Sequence, residues 1–182
     1  SLVKKAVVSK SFVQKLKKKK SLPNIAILHT GGTIASKVDC RTGGVVAKFS
    51  PEELVGMFPE LKEIANIESE LVGNMWSDDL RFIHLTKLAE EVKKKAKKVD
   101  GIIVSMGTDN LAVASAALAF MVETTPIPII FVGSQRSSDR GSSDAGMNLI
   151  CAAEFIAQTD LFSVLSVDGF FFVVILHAML TQ

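Results

Sequence analysis

A chain of 182 residues, 48% of them hydrophobic, suits one domain with a sizeable core, or one and a piece of a second. The net charge of +2 hides a division: residues 1–20 hold eight lysines and no acid, so the rest carries thirteen basic against nineteen acidic side chains, a net of −6. Cys40 and Cys151 show no CxxC or paired spacing, which points to free thiols in a reducing, cytoplasmic compartment, and the lysine-broken apolar runs at the start exclude a signal peptide.

Residues 1–21 read as a basic tail, able to attract RNA or acidic lipid, or simply solvated. The apolar run "IAIL" (25–28) predicts a buried strand that ends in "HTGGT" (29–33). "SPEELVGMF" (50–58) opens like a helix, with Ser50 at the N-cap, Pro51 at N1 and Glu53 at N3. "IANIESELVG" (64–73) contains a short strand. "LRFIHLTKLAEEVKKKAKK" (80–98) has apolar residues at helical spacing and gathers its lysines where the helix dipole favours cations.

"GIIVSM" (101–106) is a second apolar strand, and "NLAVASAALAFMVE" (110–123) an Ala-rich helix suited to close packing on a sheet. "IPIIFVGS" (127–134) is a third strand. "SSDAGMNLICAAEFIAQ" (142–158) is a helix with Ser or Asp available as its cap. "FFFVVIL" (170–176) is a fourth strand. The stretch 161–180 is nearly long enough to span a bilayer, but Asp168, Gly169 and His177 interrupt it and favour the strand. Strands alternating with helices predict an α/β fold: a doubly wound, mostly parallel sheet in three layers.

Ligands of such sheets sit beyond the carboxyl ends of the strands. Polar, Gly-containing segments stand at three of those ends: "HTGGT" (29–33), "GTDN" (107–110) and "GSQRSSDRGSSD" (133–144). The pair Gly31-Gly32 lets backbone N–H groups approach a ligand, and a helix beginning just after would add its positive end for an anion or oxyanion. A tight structural turn is the plain alternative. A nucleotide-phosphate loop fits less well, since the sequence is neither G-x-G-x-x-G nor G-K-[ST]. Threonine is a weak nucleophile that needs a base. Thr108 and Asp109 can supply polar support, Asp109 can bind an ammonium or merely cap its turn, and Ser77 is a further polar candidate.

The pairing of "TGGTIAS" (30–36) with "GTD" (107–109) resembles the bacterial-type L-asparaginase/glutaminase family. "LPNIAILHTGGTIASKVDCRTGGV" (22–45), "PELKEIANI" (59–67) and "VGSQRSSDRGSSDAGMNLICA" (132–152) are similar, more closely, to the D-subunit branch of archaeal glutamyl-tRNA(Gln) amidotransferases. The resemblance covers about residues 22–160. It implies an N-terminal asparaginase-like domain over 22–182, with the family's C-terminal domain absent and 161–182 departing from its pattern. It implies that Thr33 is the nucleophile attacking the side-chain amide of glutamine or asparagine. Ammonia then leaves, and water hydrolyses the acyl-enzyme. It makes Thr108 the second catalytic threonine and Asp109 the carboxylate that takes the substrate ammonium. Ser77 contacts the substrate carboxylate, with Asp78 beside it, and Gly32 and Gly107 shape the turns and present N–H donors. The ammonia passes to a partner subunit that uses ATP and Mg²⁺ on glutamate attached to tRNA. This chain itself needs no cofactor or metal, forms a homodimer and stays off the membrane.

The sequence also departs from the family. Cys40 stands where the mobile loop carries a tyrosine, and the chain has no tyrosine at all. "MGTDN" replaces "HGTDT" and predicts a thinner polar network around Thr108. No lysine follows Lys98, so the family's Thr-Asp-Lys arrangement is not completed in its usual place. Two other readings therefore stand beside the amidotransferase subunit: a free-standing L-asparaginase, and a truncated asparaginase-fold protein without activity.

Overall fold

The structure, a computed structural model, describes residues 19–38, 45–47, 53, 56–122, 125–158 and 173–176. Its centre is a sheet of five parallel strands: β1 (Asn24–Gly31), β4 (Asn66–Met75), β5 (Gly101–Ser105), β6 (Ile129–Val132) and β7 (Val173–Leu176). They lie in the order β4-β1-β5-β6-β7. Two short strands, β2 (Ser36–Val38) and β3 (Val45–Ala47), form a separate antiparallel pair. Four α-helices lie wholly within the described residues: α1 (Leu61–Ile64), α2 (Phe82–Lys95), α3 (Leu111–Met121) and α4 (Ala145–Ala157).

The side-chain period of two divides the sheet cleanly. Ile25 and Ile27, Ile103, and Ile130 and Val132 point to one face, where α1 and α4 cover them with Leu61, Leu149, Ala153 and Ile156. Ala26 and Leu28, Ile102 and Val104, and Ile129 and Phe131 point to the other, beneath Leu85, Leu88 and Val92 of α2 and Ala114 and Leu118 of α3. Both faces of the inner strands are dry, which is why they read as unbroken apolar runs. The expected three-layer, doubly wound architecture is therefore present.

The elements differ from expectation in three places. β4 is ten residues long and no short strand. As an edge strand it exposes one flank, so charged Glu68 and Glu70 dilute its apolar signal. No α-helix follows the glycine pair. Thr33–Ala35 makes one 3-10 turn, closed by Ala35 N–H and the Ser36 hydroxyl on the Gly32 carbonyl (3.1 and 2.8 Å), and β2 begins at once. With only three residues, its aligned peptides add little dipole. The capping box drawn on Ser50, Pro51 and Glu53 lies largely outside the described residues, as do the expected strand's Phe170–Phe172. No described helix is long and apolar enough to cross a membrane.

Where the lysine-rich start reaches the sheet, residues 19–22 make a turn, with the Leu22 N–H on the Lys19 carbonyl. Asn66 holds it. Its Oδ1 accepts from Lys19 N–H at 2.8 Å, and its Nδ2 donates to the carbonyls of Lys19 and Leu22, both at 2.9 Å.

Candidate active site

In the order β4-β1-β5 the chain passes from β1 to β4 on one side and then crosses back to β5 on the other, so a crevice opens at the carboxyl ends of these strands. β1 ends there on two glycines with positive φ, Gly31 at 103° and Gly32 at 80°. A Cβ on Gly31 would lie 2.5 Å from the Met75 carbonyl oxygen, and one on Gly32 would fall on the backbone nitrogen of Gly107. A Cβ on Gly107 would in turn lie 2.9 Å from Ser77 Oγ, and one on Gly133 would lie 2.7 Å from Thr108 Cγ2. Four loops thus meet at close quarters, because the residues at their contacts have no side chain.

Their polar groups interlock. Ser77 Oγ donates to Asp109 Oδ2 at 3.2 Å, and Asn110 Nδ2 donates to the Ser77 carbonyl at 2.8 Å. The Gly32 N–H donates to the Met75 carbonyl at 3.1 Å, so it is engaged within the protein and not turned to a ligand. Asp144 shapes the 133–144 loop. Its carboxylate accepts from the N–H groups of Gln135 and Arg136 and from Asn148 Nδ2. Ser138 Oγ reaches across to the Ile34 carbonyl at 2.5 Å and joins that loop to the turn bearing Thr33.

The two threonines of "HTGGT" differ. Thr30 is buried, and its hydroxyl donates to the Ser105 carbonyl at 3.2 Å, pinning β1 to β5. Thr33 is half-buried, and no described residue bonds its hydroxyl. Thr108 is half-buried and Asp109 exposed at the crevice. Asp78 stands exposed on the turn Ser77–Asp79, and no hydrogen bond or ion pair ties its side chain to the other loops among the described residues. Cys40 lies outside the described residues.

Four contributors escape sequence reasoning. Met75 supplies the carbonyl that holds Gly32, which no residue type announces. Asp144 is legible only as a helix cap, and its carboxylate instead turns back on its own loop. Asn110, expected to thin the polar network, bonds Ser77, while Met106 is buried among the apolar residues under α2 and α3. His29 carries no sequence signal of its own. It is 1% exposed, and a 2.6 Å hydrogen bond joins its Nδ1 to the Ser105 hydroxyl. Its Nε2 has no partner among the described residues. Burial pushes its pKa from 6.5 down to about 4, so the ring is neutral at physiological pH.

Two cavities lined by described residues lie beside this crevice or away from it. One of about 630 Å³ separates the C-terminal parts of α2 and α3, by Lys93, Lys97 and Met121. One of about 240 Å³ touches the back of the glycine turn through Thr30 and Met75. No cluster of three or more His, Cys, Asp or Glu side chains suited to a metal occurs among the described residues.

Residues 24–167 match the family described as asparaginase, N-terminal. The D subunit of the glutamyl-tRNA(Gln) amidotransferase of Archaeoglobus fulgidus is 50% identical over 139 residues, which cover 76% of this chain and 33% of that protein. Its counterpart from Methanosarcina acetivorans is 46% identical over 149 residues, covering 81% and 35%. The crystal structure of a probable cytoplasmic L-asparaginase from Campylobacter jejuni superposes with a TM-score of 0.67 at 27% identity, covering 76% of this chain and 41% of that one. The chain spans about a third of the length of the curated relatives it matches.

Proposed function

The chain belongs to the asparaginase family, and within it we propose a glutaminase of the amidotransferase D-subunit type. Thr33 attacks the side-chain amide of glutamine, or of asparagine, and releases ammonia. Water then hydrolyses the acyl-enzyme. Asp109 receives the substrate ammonium and Ser77 its carboxylate, with Asp78 beside it. Thr108 stands next to the reacting carbonyl, and Gly32 and Gly107 keep the crevice narrow. The ammonia serves a partner subunit that forms glutaminyl-tRNA(Gln), the partner supplying the ATP and Mg²⁺ chemistry. A homodimer in the cytoplasm fits the same reading.

The observation that carries this reading is the crevice itself. A half-buried threonine hydroxyl, unbonded by any described residue, follows a glycine whose backbone touches the loop of Thr108 and Asp109. The carboxylate of Asp109 and the hydroxyl of Ser77, 3.2 Å apart, make a polar pair suited to the head group of an α-amino acid.

Covalent labelling tests the nucleophile. An electrophilic amide analogue should add one adduct by mass spectrometry, lost in Thr33→Ala and kept in Thr30→Val. Labelling that persists in Thr33→Ala removes Thr33 from the mechanism. A second reading, a domain of this family without turnover, is favoured by Cys40 at the position where the resemblance places a tyrosine. It predicts no adduct on the wild-type chain either.

A further inference from the structure

Asparagine is among the best helix N-caps, and Asn110 sits at the N-cap of α3. Yet its side chain makes no cap bond. Its Nδ2 donates instead to the Ser77 carbonyl at 2.8 Å, while Ser77 Oγ donates in the opposite direction to Asp109 Oδ2 at 3.2 Å. These two bonds join the turn after β4 to the loop after β5. The two strands do not touch, because β1 lies between them. The tie therefore passes over the end of β1, just where the backbones of Gly32 and Gly107 meet. Ser77 is only 4% exposed. Little water reaches its carbonyl, which takes two protein donors: the Leu80 N–H at 3.1 Å within its own turn, and Asn110 Nδ2 from the other loop.

The two bonds have different fates when a ligand binds. The Ser77 hydroxyl and the exposed Asp109 carboxylate are bonded to each other through their side chains, a bond that a ligand's charged groups can replace. An α-amino acid would separate them, its carboxylate accepting from Ser77 and its ammonium donating to Asp109. The bond from Asn110 uses the backbone of Ser77 and survives that exchange.

We propose that Asn110 is a positioning residue. By holding Ser77 through its carbonyl, it keeps the hydroxyl and the Asp109 carboxylate at the spacing of an amino acid's two charged groups. The role rests on the amidohydrolase reading and extends it to a residue outside the reacting set.

Two variants of the whole chain, Asn110→Asp and Asn110→Ala, separate positioning from structure. Both remove the donor to Ser77. Aspartate is as good an N-cap as asparagine and adds a favourable charge at the start of α3, so Asn110→Asp should melt no lower than wild type. The probes are L-glutamate and L-aspartate, titrated calorimetrically. Both variants should bind them about fivefold more weakly, the worth of one net hydrogen bond. Hydrogen exchange at Asp79 and Leu80, whose N–H groups donate to the carbonyls of Trp76 and Ser77, should quicken by a similar factor. Wild-type affinity in both variants would overturn the positioning role even if exchange quickened. A loss confined to Asn110→Asp would also overturn it, since charge repulsion would then suffice. If wild type binds neither amino acid, the amidohydrolase reading itself fails, and the positioning role with it.

Discussion

Side chains of one type take opposite roles here because their surroundings differ. Thr30 and Thr33 flank the same glycine pair, yet one hydroxyl is buried on a strand carbonyl and the other, half-buried, is bonded by no described residue. The glycines enforce this. Gly32 combines a φ of 80° with a backbone contact that leaves no room for a Cβ. His29, one residue before Thr30, gives a pH dependence. Its folded pKa of about 4 lies below its ordinary 6.5, so the unfolded chain binds the extra proton between those values. Its contribution to stability is complete above pH 6.5 and is lost as pH falls toward 4, about 3 kcal/mol in all. Urea unfolding at pH 7, 6 and 5 should show stability falling more steeply in wild type than in His29→Gln. Equal slopes would place the proton uptake elsewhere. A lone histidine after an apolar run carries no sign of its burial, which is why this group is not legible in the sequence.

Among the elements, the inner strands are the most legible. β1, β5 and β6 are apolar on both faces, and their runs stand out against polar flanks. The edge strand β4 is longer than its apolar signal because its solvent flank carries charge. Lys95 of α2 reaches two of those charges, Glu68 Oε1 at 2.9 Å and Glu70 Oε2 at 2.8 Å. Its hydrogen bond holds the Glu70 carboxyl below the usual carboxylate range. Burial disfavours the Lys95 charge, but its hydrogen bonds to Glu68 and Glu70 outweigh it and raise the lysine pKa. Both glutamates are more than a third exposed, so the two ion pairs are worth little. Lys95→Ala should lower stability by about 1 kcal/mol or less. The deficit should shrink in about 1 M salt, where charges are screened within ~3 Å. A loss of several kcal/mol that salt leaves unchanged would mean that the lysine's stem packs the edge and its charge matters little.

For the molecule as a whole, one family signature covers residues 24–167, with four of the five strands and the crevice, while the curated relatives are about three times as long as the stretch they match. The amidotransferase reading sets the decisive assay. Ammonia release from glutamine should rise when a partner amidotransferase subunit and tRNA are added. Release that is as fast without them would favour a free-standing L-asparaginase. By itself, the sequence determined the α/β class, the inner strands and which three loops stand at their carboxyl ends. Those features follow from local periodicity and from turn chemistry, which neighbouring residues settle among themselves. Only the tertiary structure decided the strand order that opens the crevice around the end of β1. Only it decided that Gly32, Ser77 and Gly107, from three separate loops, share one contact, and that Asn110 ties two loops across β1. Such contacts join residues dozens of positions apart, and nothing in local spacing encodes them.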